Sequence, residues 1–360
     1  MPIGFHTIFT IAIGLSWLLT ATVFAIVLSL LKKKRPLVKG VIYGAASFII
    51  LMVMNYLGRG LHIMVVQEIF YLLGMFLYVA FLVTVPVFLV CKVLGLISKS
   101  CRTKNKTQLM VMAGLTMLVF LTGVYNAQTF RVIDVELTSD KLQQEHNIVL
   151  IGDVHVGSES RAYLAKIVSK INELNPDMVL INGDLIDDRS ISVHELDELN
   201  DIKTKIYYVN GNHDYIAEKT EELSEIRSLD KLDNEARDLG EISLIGINSN
   251  LRRRNQTNIA GIYDRIGMDT SKYLITLIHE PIGIDETSRR GVDLMLAGHT
   301  HGGQIWPYHY FHQAAYGYLY GLYDIDGMKL YITSGAGAWG PNFRLGTRNE
   351  IVQIRLRPGS

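Results

Sequence analysis

Apolar and polar positions are arranged in two different ways along this chain. Up to about residue 130, long apolar runs are broken by short polar stretches. Beyond it, the apolar runs shorten to strand length and alternate with charged segments. The first run, FHTIFTIAIGLSWLLTATVFAIVLSLL (5–31), holds no Asp, Glu, Lys or Arg and is long enough to cross a bilayer as a helix. Similar runs at 38–57, 69–97 and 108–127 make four predicted spans. A single run of this kind can be a buried core helix, but four in succession with charged punctuation read as a membrane domain.

In the second part, NIVLIGDVH (147–155) is a β-branched run that predicts a buried strand. SRAYLAKIVSKINEL (160–174) follows, with Leu164, Ile167, Val168 and Ile171 on one helical face behind a Ser160 N-cap. Further strands are predicted at 177–183, 205–211, 241–248, 273–279, 292–299, 329–335 and 350–356. Strands interleaved with helices predict an α/β domain with helices covering a sheet. The pattern thus divides the chain into a transmembrane domain, 1–130, and an α/β domain, 131–360.

Composition narrows the reading. Lys plus Arg and Asp plus Glu both total 35, so the net charge is zero and no nucleic-acid partner is expected. Two cysteines, Cys91 and Cys101, exclude a disulfide framework and speak against a cysteine-based zinc site. Charge in the short loops predicts orientation. KKKRPLVK (32–39) and SKSCRTKNK (98–106) are basic without acid, whereas the middle loop has only Arg59, offset by Glu68. The positive-inside bias puts both basic loops in the cytoplasm, and both termini, with the α/β domain, on the extracytoplasmic side. The basic residues follow the first apolar run rather than precede it, which argues against a cleaved signal peptide.

The predicted strands end alike, on residues able to hold metal. They are Asp153 and His155 in GDVHVG, Asp184 in NGDL, Asn212 and His213 in GNHD, His279 in LIHEP, and His299 and His301 in GHTH. Open α/β sheets gather ligands beyond the carboxyl ends of their strands, so side chains scattered in sequence can converge there. Carboxylate and amide oxygens with neutral imidazoles suit manganese, iron or zinc rather than calcium or magnesium alone. Each fragment by itself is weak, because Asp-x-His is usually a surface turn and GNHD a simple β-turn. All five in order, each closing a predicted strand, make coincidence a poor explanation.

This ordered set resembles the calcineurin-like metallophosphoesterase superfamily over about residues 147–356. The ending GHTHGGQIWP, with YLYGLYDIDGMKLYITSGAGAWGPNFRLGTRNEI after it, is similar to the membrane-associated bacterial branch of that family. The family pattern often opens Ser-Asp-x-His, where this chain has Gly152. The resemblance implies a four-layer αββα sandwich, here preceded by a four-helix transmembrane domain, in the plasma (inner) membrane. It also implies two divalent metal ions (Mn, Fe or Zn), with Asp153, His155 and His301 at the first, Asn212, His279 and His299 at the second, and Asp184 bridging. The reaction it implies is hydrolysis of a phosphate ester by a hydroxide shared between the metals. His213 would be the general acid, with Asp214 orienting its ring.

The expected partners are the bilayer and a phosphate-ester substrate, with a lipid-linked or envelope substrate favoured by the tether. Some membrane-associated relatives cleave the pyrophosphate of a UDP-diacylglucosamine lipid precursor. That substrate is cytoplasmic, so this reading requires the opposite topology. An inactive sensor or interaction protein is a further alternative, disfavoured because no ligand position is lost. Two segments stand apart from the motifs. Arg252–Arg254 read as a solvated charge cluster or a contact for anionic head groups. WPYHYFHQAAYGYLYGLY (306–323) is expected as a strand-bearing loop packed beside the site, with lipid presentation as the alternative.

Overall fold

A computed structural model describes residues 5–60, 64–98, 104–187, 189–248 and 258–359, with the backbone alone for 5–17, 58–60, 64 and 65. Arg252–Arg254, Cys101 and the Arg59 side chain lie outside what is described. The chain forms two compact units, Met1–Val124 and Tyr125–Ser360.

The first unit is helical. It comprises α1 (Phe5–Leu30), α2 (Pro36–Gly60), α3 (Met64–Ile97) and most of α4 (Asn105–Gln128). Among the described residues, three helices are long and apolar enough to cross a membrane, over Pro36–Leu57, Val66–Ile97 and Asn105–Gln128. In α1 only the shorter apolar stretch Leu18–Leu30 is fully described, so the first predicted span, 5–31, is not established. α1 and α2 approach closely because Gly40 and Gly44 leave room. A Cβ on either would lie 2.8 Å from Ala21 or Ala25 atoms, a small-residue crossing typical of helices packed in lipid. Large apolar side chains such as Leu37, Tyr56 and Leu96 point outward.

The second unit begins within the last turn of α4 and continues as β1 (Phe130–Ser139), β2 (His146–Ile151), α5 (Arg161–Leu174), β3 (Met178–Ile181) and β4 (Lys205–Tyr208). Next come α6 (Asn212–Ile216), β5 (Leu229–Lys231), β6 (Glu235–Leu239), β7 (Ile242–Ile247), α7 (Ile259–Ile266), β8 (Tyr273–Ile278) and α8 (Ile284–Arg289). The unit closes with β9 (Leu294–Ala297), α9 (Tyr308–Tyr316), β10 (Gly321–Ile325), β11 (Met328–Ile332) and β12 (Asn349–Pro358). Two mixed six-stranded sheets result, ordered β1-β12-β2-β3-β4-β5 and β10-β11-β9-β8-β7-β6. β2, β3, β4 and β5 run parallel in the first, and β7, β8, β9 and β11 in the second.

The sequence explains the layering. Parallel strands covered on both faces read as unbroken apolar runs, and every residue of β3, β8 and β9 is buried. Alternate residues of each strand enter different cores. Ile148, Leu150 and Leu180 meet Leu277, Leu296 and Ile354 between the sheets. Val149, Ile151 and Ile181 face Leu164, Ile167, Val168 and Ile171 of α5. On the outer side of the second sheet, Ile245, Leu274 and Met295 pack with Ile259 and Ile262 of α7. The order is helix, sheet, sheet, helix. Ser160 caps α5, its hydroxyl accepting from the Tyr163 amide, and Asn175 ends it in the left-handed region.

The outer strands depart from expectation. β1, β5 and β6 were not predicted; the segment expected to bear a strand, 306–323, does lead into β10, but its residues 308–316 form a helix. No residue of α9 is buried, so the helix is not core packing, whereas Tyr318 and Tyr323 after it pack against the core behind the second sheet.

Candidate metal centre

The candidate ligands lie where the parallel strands of both sheets stop. Asp153 and His155 follow β2, Asp184 follows β3, and Asn212 opens α6 after β4. From the second sheet, His279 follows β8, and His299 and His301 follow β9. Five of these seven take the left-handed backbone region, with φ of 51° at Asp153, 54° at His155 and Asp184, 70° at His299 and 50° at His301. For side chains other than glycine this conformation costs about 1 kcal/mol or more each, and it concentrates at functional sites. Here it turns each chain end sharply, so that side chains from two sheets meet.

Two groups of donors form. In the first, His155 Nε2 lies 3.0 Å from His301 Nε2, and Asp153 Oδ1 lies 3.9 Å from the former and 3.5 Å from the latter. In the second, His279 Nε2 lies 2.9 Å from Asn212 Oδ1, 3.2 Å from His299 Nδ1 and 3.2 Å from Asp184 Oδ2. Asp184 belongs to both groups, since the same Oδ2 is 3.7 Å from His155 Nε2. Donors about 2.1 Å from one tetrahedral cation would be about 3.4 Å apart, so these spacings fit coordination.

Ring orientation is set from behind. His279 Nδ1 donates to the Asn182 carbonyl at 2.8 Å, leaving Nε2 free as a ligand atom. His155 Nδ1 donates to Asp187 Oδ1 at 2.5 Å. Arg344, fully buried, donates to the carbonyls of His301, Ser334 and Gly337, and its Nη2 also lies 3.1 Å from His301 Nδ1.

The electrostatics follow from burial and neighbours. Burial opposes charge on His155 and His279, yet Asp187 raises His155 to about 9 and Asp184 raises His279 to about 10. His299 and His301 are held well below the usual histidine range by burial, with the cationic neighbours His279 and His155 adding to it. Burial would also raise Asp184, but His279 and then His155 hold it below the ordinary carboxylate range. Asp187, opposed by burial and held by His155, lies at about 2.

One expectation about the second layer fails. Asp214 does not orient His213. Its carboxylate accepts from the amides of Gly211, Asp184 and Leu185 and from the Tyr208 hydroxyl, at 2.7–3.0 Å. Asp214 thereby pins the turn that carries Asp184. The carboxylate beside His213 is Asp187, 3.1 Å from His213 Nδ1, within ion-pair reach although out of line for a hydrogen bond. The His213 amide donates to Asp184 Oδ1 at 2.7 Å, and its ring stands edge-on to His155 and Trp339, with centroids 4.8 and 5.5 Å away. Asp187, Arg344 and Trp339 were not legible as site residues, since no spacing separates them from other loop residues. The departure at Gly152 has a local cause. A Cβ there would lie 1.5 Å from Asn182 Oδ1, so the Asn182 side chain excludes the usual serine.

Comparison with known proteins agrees with this geometry. The calcineurin-like phosphoesterase family profile matches residues 146–303. A metallophosphoesterase of Campylobacter jejuni is 32% identical over 78% of this chain and 79% of its own length. One from Helicobacter pylori is 37% identical over 63% of this chain and 64% of its own length. A Danio rerio transmembrane protein with a metallophosphoesterase domain is 32% identical over 68% of this chain and 61% of its own. The chain therefore belongs to the calcineurin-like metallophosphoesterases, metal-dependent hydrolases of phosphate esters.

Proposed function

We propose that this chain is a membrane-anchored dinuclear-metal phosphoesterase acting on a lipid-linked or envelope phosphate ester. In this reading residues 1–130 are a four-span anchor and 131–360 the catalytic domain. The observation that carries it is Asp184, whose Oδ2 stands 3.7 Å from one donor group and 3.2 Å from the other. Asp153, His155 and His301 would hold one ion, and Asn212, His279 and His299 the other, with Asp184 shared. The donor set fits manganese, iron or zinc.

When bound, the two ions would supply the Lewis acidity that activates water and neutralises the phosphoryl oxygens. The protein's own part is proton handling and positioning. His213, at the rim of the cluster and beside Asp187, donates a proton to the leaving oxygen. Asp184 ties the His213 backbone to the donor cluster, so acid and ligands keep a fixed separation. Asp214 holds the Asp184 turn by accepting backbone amides.

The positive-inside bias supports an extracytoplasmic catalytic domain in the inner membrane. Metal analysis and hydrolysis of a generic phosphodiester test the chemistry. A folded protein without bound metal or turnover would sink the enzyme reading. A reporter fused to the C-terminus tests the topology. A cytoplasmic signal would reverse the orientation and favour a UDP-diacylglucosamine-type pyrophosphatase.

A further inference from the structure

We infer that the aromatic face of α9 is a membrane-docking surface that seats the candidate metal centre against the lipid headgroup region. The inference rests on the membrane-anchored reading above and extends it from tethering to a defined contact.

Helix α9, YHYFHQAAY, contributes no buried side chain to the domain, so its aromatics are not there to build a core. Tyr308 is 56% exposed, Tyr310 61% and Phe311 68%. Trp306, just before the helix, and Trp339 are exposed as well. Trp339 is held close by Gln304, whose side chain bonds both its amide and its carbonyl at 3.0 and 2.9 Å. Exposed rings in this number are expensive in water.

The occupant follows from the chemistry of the patch. Between Asp293 and Asp324 the sequence contains no Asp, Glu, Lys or Arg. A segment rich in Tyr, Trp, Phe and His, with no Asp, Glu, Lys or Arg, matches the headgroup level of a bilayer, where amphipathic rings concentrate. Adsorption through such a face buries apolar area rather than neutralising anionic lipid. It therefore requires neither anionic lipid nor low salt.

The face also leads to the chemistry. Tyr316, in the last turn of α9, packs edge-on against His299 with centroids 5.6 Å apart. Trp339 does the same with His213 at 5.5 Å. Tyr316 thus links the exposed helix to one rim of the donor cluster, and the exposed Trp339 stands at the other. A phosphate ester anchored in the outer part of a bilayer would meet the cluster without leaving the lipid.

Site-directed spin labelling of the full chain tests this. With Cys91 and Cys101 replaced by Ser, Phe311→Cys and separately Tyr308→Cys are labelled in neutral phosphatidylcholine nanodiscs. Glu225→Cys, on an exposed turn of the same domain, is the aqueous reference. Power saturation compares oxygen with a water-soluble nickel chelate. The oxygen-to-nickel accessibility ratio at 311 and 308 is expected to exceed that at 225 by roughly fivefold, as for residues in the interfacial layer, with little change at high salt. A ratio equal to the reference overturns the inference. Shielding from both reagents together also overturns it, because that marks a protein contact such as a second copy. The readout involves no hydrolysis, so failure here is distinct from failure of the phosphoesterase reading. A label at either position suffices if the other variant does not fold.

Discussion

Replacing Asp187 by Asn isolates what one carboxylate outside the candidate ligand set does for the site. Its Oδ1 accepts from His155 at 2.5 Å and lies 3.1 Å from His213. The substitution keeps the shape and removes the charge. Two effects then compete. Loss of an outer carboxylate lowers metal affinity about 10–100-fold. The same carboxylate also holds a proton on His155 up to about pH 9. At pH 7 that proton costs metal binding on the order of 100-fold, a tenfold factor for each pH unit between 7 and 9. In D187N burial lowers the His155 proton affinity with less opposition, so this competition weakens. The defect must therefore depend on pH. It should be small, about threefold or less, near pH 6.5 and approach its full 10–100-fold near pH 9. Manganese or zinc affinity measured by chelator competition from pH 6.5 to 9.5 reads it directly. D197N, at an exposed pair with His194, is the control and should change nothing. A pH-independent ratio between wild type and D187N would refute the reasoning.

Four further outcomes follow. His155 and His279 have raised pKa values, so their proton-linked contribution to the metal-free protein is complete below about pH 6.5 and is lost as pH rises through about 9 and 10. Added metal should therefore raise the thermal midpoint more at pH 9 than at pH 6.5, as scanning fluorimetry would show. His299→Ala and His301→Ala should each reduce bound metal from about two ions to about one, measured by elemental analysis, with the surviving ion held by different partners. Gly152→Ser should destabilise by about 1–3 kcal/mol through overpacking, and the added change Asn182→Ser should recover most of it in chemical denaturation. Arg344→Met should destabilise by about 3–5 kcal/mol and weaken metal retention at the His301 side, because three buried carbonyls, one of them that of His301, lose their donor.

Much of the α/β architecture could be read locally. The interior strands β2, β3, β8 and β9 are covered on both faces, so burial alone writes them as continuous apolar runs. The face of α5 was legible for the same reason, as Leu164, Ile167, Val168 and Ile171 recur at helical spacing and are all buried. Edge elements carry no such mark. β6 and β10 contain no fully buried residue, and β1 gains its partner, β12, from more than two hundred residues away. Their existence depends on a neighbour that local pattern cannot name.

The candidate site divides in the same way. By itself the sequence determined which donor types stand at the strand ends, because a strand that stops on Asp, Asn or His announces its chemistry in the residue. It also determined that the first part of the chain is apolar over lengths a bilayer requires. Only the tertiary structure decided how close those donors stand, and that Asp184 lies between the two groups. It likewise decided that Asp187 rather than Asp214 faces His213, and that α9 presents its rings outward. The physical reason is that side-chain direction at a turn depends on backbone dihedrals and on contacts between two separate sheets. A shift of one residue's φ into the left-handed region turns a carboxylate from solvent to its neighbour, and nothing in the local pattern of apolar and polar residues records that turn.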